Sequence, residues 1–203
     1  ADLQLLKYNR INSHSIRTNT IKNSKAPGID GIKSIMLKQM SDTFFRIIAK
    51  TFNWDLKNGY FLKIFKTAKV IPILKPGKDA KSPTSYRPIS MLNSLDKVFE
   101  KIILKRLNEF TENNGILQNE QFGFRKDHST VHQVKRIVNF ITNNKNERKS
   151  TGIVFLDIEK AFDSIWHNGL IYKLNMFGYP IYLQKLIKSF LHERSFVVNI
   201  DNE

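Results

Sequence analysis

The spacing of apolar residues along the chain predicts a helix-rich protein. In Lys33–Lys57, and again in Ser90–Asn113, apolar residues recur at close to helical spacing, which is the pattern of an amphipathic helix. Asn58–Gly59 follows the first of these segments and is a typical helix-ending signal. Further helices are predicted at Ser129–Asn144 and near His167–Phe177 and Ile181–Glu193, with a weaker one at Ser15–Ser24.

Three short apolar runs are typical of β-strands. Thr67–Leu74 is one, and its Pro72 favours an edge position or a bulge because proline has no N–H to donate. Gly152–Ile158 is almost continuously apolar, which predicts a strand buried on both faces. Ser195–Ile200 is the last strand and has no obvious partner after it, while Lys75–Pro88 reads as a loop. The order of elements predicts an α+β fold.

Composition describes a globular chain and excludes several kinds of site. With 203 residues, 41% of them hydrophobic, the chain is long enough for one sizeable domain or two small lobes. It contains no cysteine, so disulfides, thiolate zinc sites and cysteine nucleophiles are excluded. Apolar runs stay well short of the roughly 18 residues that cross a bilayer, and no signal peptide opens the chain. We interpret the chain as a fragment of a longer reading frame.

The charge is strongly positive and unevenly distributed. Thirty-three Lys and Arg against 18 Asp and Glu give a net charge of +15. Between Lys57 and Arg106 there are 12 basic and 3 acidic residues. A concentrated positive charge favours a polyanionic partner, most often a nucleic acid. A solvated, functionally inert basic face is the alternative.

One carboxylate interrupts the predicted strand Gly152–Ile158 near its end. A charge on a buried strand is costly unless it is paired or bound to a metal. Asp157 is therefore a candidate functional residue. The alternative is a partly exposed residue at a strand end, with Glu159 and Lys160 in a solvated turn.

Four segments together resemble the finger and palm motifs of reverse transcriptases, specifically those of non-LTR retrotransposons of the jockey-like kind. They occur in the family's order with compatible spacings, and the resemblance extends from Lys25 to about Ile200. The segments are Lys25–Ile32 (KAPGIDGI), Ala68–Leu92 (AKVIPILKPGKDAKSPTSYRPISML), Gln121–Thr130 (QFGFRKDHST) and Gly152–Ile165 (GIVFLDIEKAFDSI).

The resemblance implies the fold of a right-hand polymerase. Residues 1–150 would form the fingers and the finger–palm connection. Residues 151–203 would form the N-terminal part of the palm, with the first catalytic aspartate. The expected fragment is helix-rich, with a small and mostly antiparallel sheet.

The same resemblance implies an RNA-directed DNA polymerase that uses an RNA template, a DNA primer and dNTPs. Nucleotidyl transfer of this kind uses two divalent ions about 3.5–4 Å apart, and Mg²⁺ prefers oxygen ligands. Asp157 is implied as a catalytic metal ligand, with the backbone carbonyl of Ile158 as a second ligand. Phe162 matches the aromatic steric gate that excludes a 2′-hydroxyl, and Asp163 is expected to cap or pair locally.

The fingers would supply the cations for the triphosphate and the template. Arg87 matches the arginine that lies against the incoming triphosphate, and Lys75 resembles the second cation, with Lys78 as its competitor. Lys78, Lys81 and Arg125 are the expected nucleic-acid contacts, although Arg125 has a neighbouring carboxylate as its alternative partner. Gly28, Asp30 and Gly31 are expected to be architectural.

The chain departs from the family pattern at one point. It contains no Tyr-x-Asp-Asp segment, which supplies further metal carboxylates in the family, so these 203 residues are expected not to polymerise alone. A non-catalytic nucleic-acid-binding remnant and a maturase-like RNA-binding protein are alternatives. A nuclease that uses Asp157, Glu159 and Asp163 is a weaker one. Nucleus or cytoplasm is the expected compartment, and the oligomeric state is left open.

Overall fold

The computed structural model describes residues 10–18 and 25–199. Seven α-helices and three strands are found in these ranges. They are α1 Ser13–Thr18, α2 Ser34–Lys38, α3 Asp42–Asn58, β1 Thr67–Leu74, β2 Tyr86–Met91, α4 Ser94–Asn113, α5 Thr130–Asn146, α6 His167–Met176, α7 Ile181–Leu191 and β3 Ser195–Val198.

The chain divides into two compact units. The first unit comprises Ala1–Glu109 and His167–Glu203, and the second comprises Phe110–Trp166. The boundary predicted at 150/151 falls inside the second unit, and the assignment of fingers and palm stays a prediction.

A three-stranded sheet lies in the first unit, in the order β2-β1-β3. β2 pairs with β1 antiparallel, and β3 pairs with β1 parallel. The sheet is therefore mixed, where a mostly antiparallel one was expected. The last strand has an upstream partner, since Ser195 lies opposite Thr67. Residue Ile200, included in that predicted strand, lies outside the described residues.

Pro72 was expected at a sheet edge or a bulge, but it lies on the central strand. It is tolerated because its missing N–H would face β3 and not β2. On the β2 side Pro72 lies opposite Pro88 in a pair that exchanges no ladder hydrogen bonds, since the bonded pairs alternate from Lys75, whose N–H donates to Ser85 O at 2.8 Å. On the β3 side the parallel ladder ends where Asn199 N donates to Val70 O at 2.9 Å. The next donor of that ladder would be residue 72, so the proline itself terminates the pairing.

The predicted helix Lys33–Lys57 is interrupted. α2 ends at Lys38, and α3 begins after Ser41, whose hydroxyl accepts a hydrogen bond from Phe44 N at 3.3 Å. A serine N-cap satisfies an otherwise unpaired backbone donor and favours a helix start at this point. The predicted end is confirmed, because Gly59 caps α3 in the left-handed conformation.

An aromatic cluster forms the core of the first unit. Phe52 of α3 and Phe99 of α4 stack with their ring centroids 4.3 Å apart, and Phe61 also stacks with Phe99 at 5.6 Å. Leu186 of α7 is fully buried in the same cluster. These contacts join the amphipathic faces of three helices that the apolar spacing predicted separately.

Most of the remaining helices and strands lie close to their predicted bounds. β1 and the helices α5, α6 and α7 are confirmed to within a few residues. α4 starts at Ser94, later than the predicted Ser90, because Tyr86–Met91 forms β2. The predicted loop Lys75–Pro88 therefore contains the turn and the first residues of a hairpin strand. For Ser15–Ser24, α1 covers the beginning, and residues 19–24 lie outside the described residues.

The predicted strand Gly152–Ile158 is wrong in this structure. The segment is irregular, and its apolar side chains are exposed, with Leu156 at 91%. A strand needs a partner for its backbone N–H and C=O groups, and the segment pairs with no strand in the described part of the chain. In the same unit, no residue of α5, all of which is described, is buried.

Candidate nucleotide and nucleic-acid site

The β1–β2 hairpin positions Arg87 on an open face of the sheet. Arg87 lies opposite Ile73, and the next pair on the same face is Ile71 with Ile89. Opposite residues of an antiparallel pair share a face, so the guanidinium stands beside an apolar surface. Arg87 is exposed, and it makes no ion pair with any residue in the described ranges. It is available to an anionic ligand.

Lys75 follows β1 directly and closes the hairpin. Its backbone N–H donates to Ser85 O at 2.8 Å, and its ammonium donates to Thr84 O at 2.8 Å. Both bonds hold Lys75 at the base of the turn that leads into β2. An ammonium has three donors, so one bond to a carbonyl leaves capacity for a phosphate. Lys75 and Arg87 are thus placed on adjoining parts of one hairpin.

Lys78 and Lys81 lie in the exposed turn of the hairpin. Lys78 N donates to Lys75 O at 3.2 Å, and Lys81 N donates to the carboxylate of Asp79 at 3.0 Å. Tyr86 also donates to Ala80 O at 2.9 Å. The turn is therefore held by its own hydrogen bonds, with both lysine side chains at its surface.

The loop Lys25–Ile32 packs against the start of α4, and its expected architectural role is confirmed. A Cβ at Gly28 would lie 2.2 Å from Asn93 Oδ1, so only glycine fits there. Ser94 donates to Ile32 O at 2.6 Å, and Gly31 adopts a φ of +67°. Glycine adopts this conformation without strain.

A cavity of ≈ 590 Å³ lies between this loop and the sheet. Its sheet side includes Lys69, Ile71 and Met91, which are on the face that carries Arg87, because Lys69 lies opposite Met91 and Ile71 opposite Ile89. Val197 of β3 also lines it. Sequence reasoning missed this cavity and Lys69, because the walls come from segments far apart in the chain.

Asp157, Ile158 and Phe162 lie in the second unit. All three are exposed. The Asp157 carboxylate has no hydrogen bond or ion pair with any described residue. The expectation that Asp157 lies on a buried strand is therefore wrong here. The Asp157 carboxylate is nevertheless available to a ligand. Phe162 is 74% exposed, and its ring meets Phe124 edge-on at 5.9 Å.

The oxygens of Asp157 and Ile158 suit Mg²⁺ chemically, but they do not complete a metal site. Within residues 10–18 and 25–199, no three His, Asp or Glu side chains are grouped to hold an ion. A single carboxylate does not hold two ions in position. Asp163 is part of a local turn, in which its N–H donates to Lys160 O at 2.9 Å.

Arg125 has the carboxylate partner that was one of its two expected alternatives. Its guanidinium lies 3.7 Å from Glu112 and donates to Gln118 O at 3.0 Å. The side chain is only 14% exposed. These contacts fix Arg125 against the end of α4 in the second unit, and its role as a nucleic-acid contact stays a prediction.

Two fully buried carboxylates in the first unit were not expected. Burial raises the pKa of Asp55 from 3.8 to about 7. Burial also raises the pKa of Asp96 to about 8; Glu100 adds to this rise, while Arg194 and Lys97 oppose it. Their oxygens have no hydrogen-bond partner within the described residues. Both acids are therefore substantially protonated near neutral pH. Apolar spacing alone does not reveal these two acids, because a single acidic residue in an amphipathic helix leaves the spacing of its apolar residues unchanged.

Residues 73–203 match the family model described as reverse transcriptase (RNA-dependent DNA polymerase). The chain belongs to this family.

Relatives agree with this assignment. The chain is 41% identical over 179 residues to the probable RNA-directed DNA polymerase from transposon BS of Drosophila melanogaster. It is 40% identical over 177 residues to the RNA-directed DNA polymerase from mobile element jockey of the same species. These alignments cover 88% and 87% of the chain, and 20% and 19% of the relatives. The chain thus spans about a fifth of the length of these relatives. The resemblance to jockey-like non-LTR elements is confirmed.

The helices carry no membrane signal. None in the described part of the chain combines the length and the apolarity that crossing a bilayer requires.

Proposed function

We propose that this chain contributes the nucleotide-binding and template-binding part of an RNA-directed DNA polymerase, as fingers and the first part of a palm. The observation that carries the proposal is the hairpin, which presents Arg87 beside an apolar sheet face with Lys75 at its base. Membership of the reverse transcriptase family supports it. The substrates would be dNTPs, an RNA template and a DNA primer.

Arg87 and Lys75 would hold the triphosphate. A guanidinium is always charged and engages phosphate oxygens bidentately. Because Arg87 is exposed and not paired with a described carboxylate, no existing ion pair has to be broken before an anion binds. Lys78, Lys81 and Arg125 would contact nucleic acid, and such contacts to phosphates make binding salt-dependent and weakly sequence-specific.

Asp157 and the carbonyl of Ile158 would contribute ligands to Mg²⁺, which stabilises the attacking and leaving oxygens of nucleotidyl transfer when it is bound. The remaining ligands would come from outside the described residues. Phe162 would occupy the space of a 2′-hydroxyl and select deoxynucleotides. Its exposed ring is free to meet a sugar.

The test is the binding of dTTP with Mg²⁺ to the 203-residue chain, measured by calorimetry. Arg87→Gln is expected to weaken binding about 10-fold, the effect of losing a charged hydrogen-bonded contact. Arg87→Lys should restore only part of the affinity, because a lysine is not bidentate. Arg46→Gln, an exposed arginine on α3, is the matched control for charge.

Two outcomes would contradict the proposal. Equal dTTP affinities for Arg87→Gln and Arg46→Gln would remove Arg87 from the nucleotide site. RNA binding by the unchanged chain without any response to dTTP and Mg²⁺ would favour a non-catalytic nucleic-acid-binding protein.

A further inference from the structure

A cavity of ≈ 490 Å³ in the first unit is lined by four lysines. These residues, here called the lysine pocket, are Lys63, Lys66, Lys185 and Lys188. The cavity lies where the end of α3 and the segment after it meet α7, and none of these residues belongs to the hairpin.

The pocket is built by a close approach of α7 to the end of α3. A Cβ on Gly59 would lie 2.4 Å from Lys185 Cβ, so the glycine allows the two helices to meet. Phe61 N donates to Ser189 Oγ at 2.9 Å and fixes the segment after Gly59 to α7. The lysines are therefore brought together by fixed backbone and not by flexible loops.

The positive charge of the pocket is largely uncompensated. None of its four lysines forms an ion pair with a described residue. Glu193 also lines the cavity, with His192 Nδ1 3.6 Å from its carboxylate. Lys66 is only 7% exposed, and its ammonium has no hydrogen-bond partner in the described ranges. The ammonium is therefore available to pair with a bound anion.

Aromatic side chains lie beside the charge. Tyr60 lines the cavity, is 40% exposed, and meets the ring of Trp54 edge-on at 6.2 Å. Trp54 is 58% exposed. Lysines for phosphates combined with exposed aromatic rings for bases are the means by which proteins bind single-stranded nucleic acid. A free phosphate or an acidic peptide would not require the rings.

We propose that the lysine pocket and the Trp54–Tyr60 pair bind a single-stranded nucleic acid, with phosphates on the lysines and a base on the aromatic rings. The site is separate from the hairpin residues assigned to the triphosphate. The choice of a nucleic acid as the polyanion rests in part on the proposed function, but the two tests use different residues and fail independently.

The experiment is fluorescence anisotropy of a labelled 20-nucleotide single-stranded RNA with the 203-residue chain, over a series of salt concentrations. Lys185→Gln with Lys188→Gln is expected to weaken binding at least about 10-fold at low salt. The slope of log affinity against log salt should fall by about 1.4, since each single-strand phosphate contributes about 0.7. Trp54→Ala should weaken binding about 10-fold without changing the slope.

The matched control is Lys38→Gln with Lys50→Gln, two exposed lysines on α2 and α3 that remove the same charge. Equal losses in both double variants would overturn the proposal. The proposal would also be overturned if tripolyphosphate displaced the RNA at matched ionic strength and Trp54→Ala bound RNA as tightly as the unchanged chain. The site would then bind free anions. If the lysines only stabilised the C-terminal ends of α3 and α7, thermal stability would fall while RNA affinity matched the control.

Discussion

Gly28 lies against the backbone of Asn93, so closely that a Cβ on the glycine would be 2.5 Å from Asn93 N and 2.7 Å from Asn93 Cα. The neighbour is main chain at the start of α4, and Asn93 is only 2% exposed. Asn93 also bridges the loop to Ile64 O at 3.4 Å through its amide. The glycine loop and the α4 start are therefore one packed unit.

We expect Gly28→Ala to destabilise the chain by about 1–3 kcal/mol, because inserting a methyl group into close-packed backbone forces a shift. Urea unfolding followed by circular dichroism measures this. Gly123→Ala is the control, since open space surrounds Gly123, and its effect should stay within about 0.5 kcal/mol. Equal stabilities of the two variants would contradict the close approach.

The exposed segment Gly152–Ile158 gives a second prediction. Leu156→Asn should change the free energy of unfolding by less than about 0.5 kcal/mol, because Leu156 is 91% exposed. On the buried strand that the apolar pattern indicates, removing a leucine from the core would cost about 2–5 kcal/mol. A loss in that range, measured by the same urea unfolding, would show that the segment is packed. Leu186→Asn, in the core, is the positive control.

The contrast between these segments shows what apolar spacing can predict. α3 ends where Asn58–Gly59 predicts, and β1 has its predicted bounds, because helix caps and short apolar runs are encoded by neighbours in sequence. The segment Gly152–Ile158 has an equally strong pattern. This pattern predicts a buried strand, but a strand is buried only when partner strands cover it. The apolar spacing of the segment alone therefore did not determine whether it forms a strand here.

The candidate site could likewise be predicted only in part from the sequence. Arg87 and Lys75 were predicted from the family motifs as contacts of the triphosphate, and that role stays a prediction. The structure shows that β2 returns Arg87 alongside β1, at the end of which Lys75 lies. The cavity at Lys69 and the lysine pocket were missed, because each combines segments distant in the chain. Gly59 was noted only as a helix end, whereas it also allows α7 to approach α3.

The buried acids predict a pH dependence of stability. The folded-state pKa values of Asp55 and Asp96 are raised from 3.8 to about 7 and about 8. The unfolded chain therefore loses these protons first as pH rises. Stability from these groups is fully present below about pH 4 and is lost as pH rises through the folded pKa values. Each group contributes a slope of at most about 1.4 kcal/mol per pH unit in that window.

Asp96→Asn should remove one of these contributions. We expect the variant to gain stability relative to the unchanged chain at pH 8, and to differ little from it near pH 4. Urea unfolding at pH 4, 6 and 8 measures the difference. Asp127→Asn, an exposed acid, is the control and should show no such trend. A pH-independent effect of Asp96→Asn would mean that the Asp96 carboxyl titrates alike in both states.

The last prediction concerns catalysis by these 203 residues alone. They contain no Tyr-x-Asp-Asp segment, and within the described residues no group of three His, Asp or Glu side chains is placed to hold a metal ion. Because two ions must be held for nucleotidyl transfer, we expect no primer extension on an RNA template with Mg²⁺ and dNTPs. Incorporation above that of Asp157→Ala would contradict this. An active reverse transcriptase on the same template verifies the assay, and a cooperative urea unfolding transition verifies that the chain is folded.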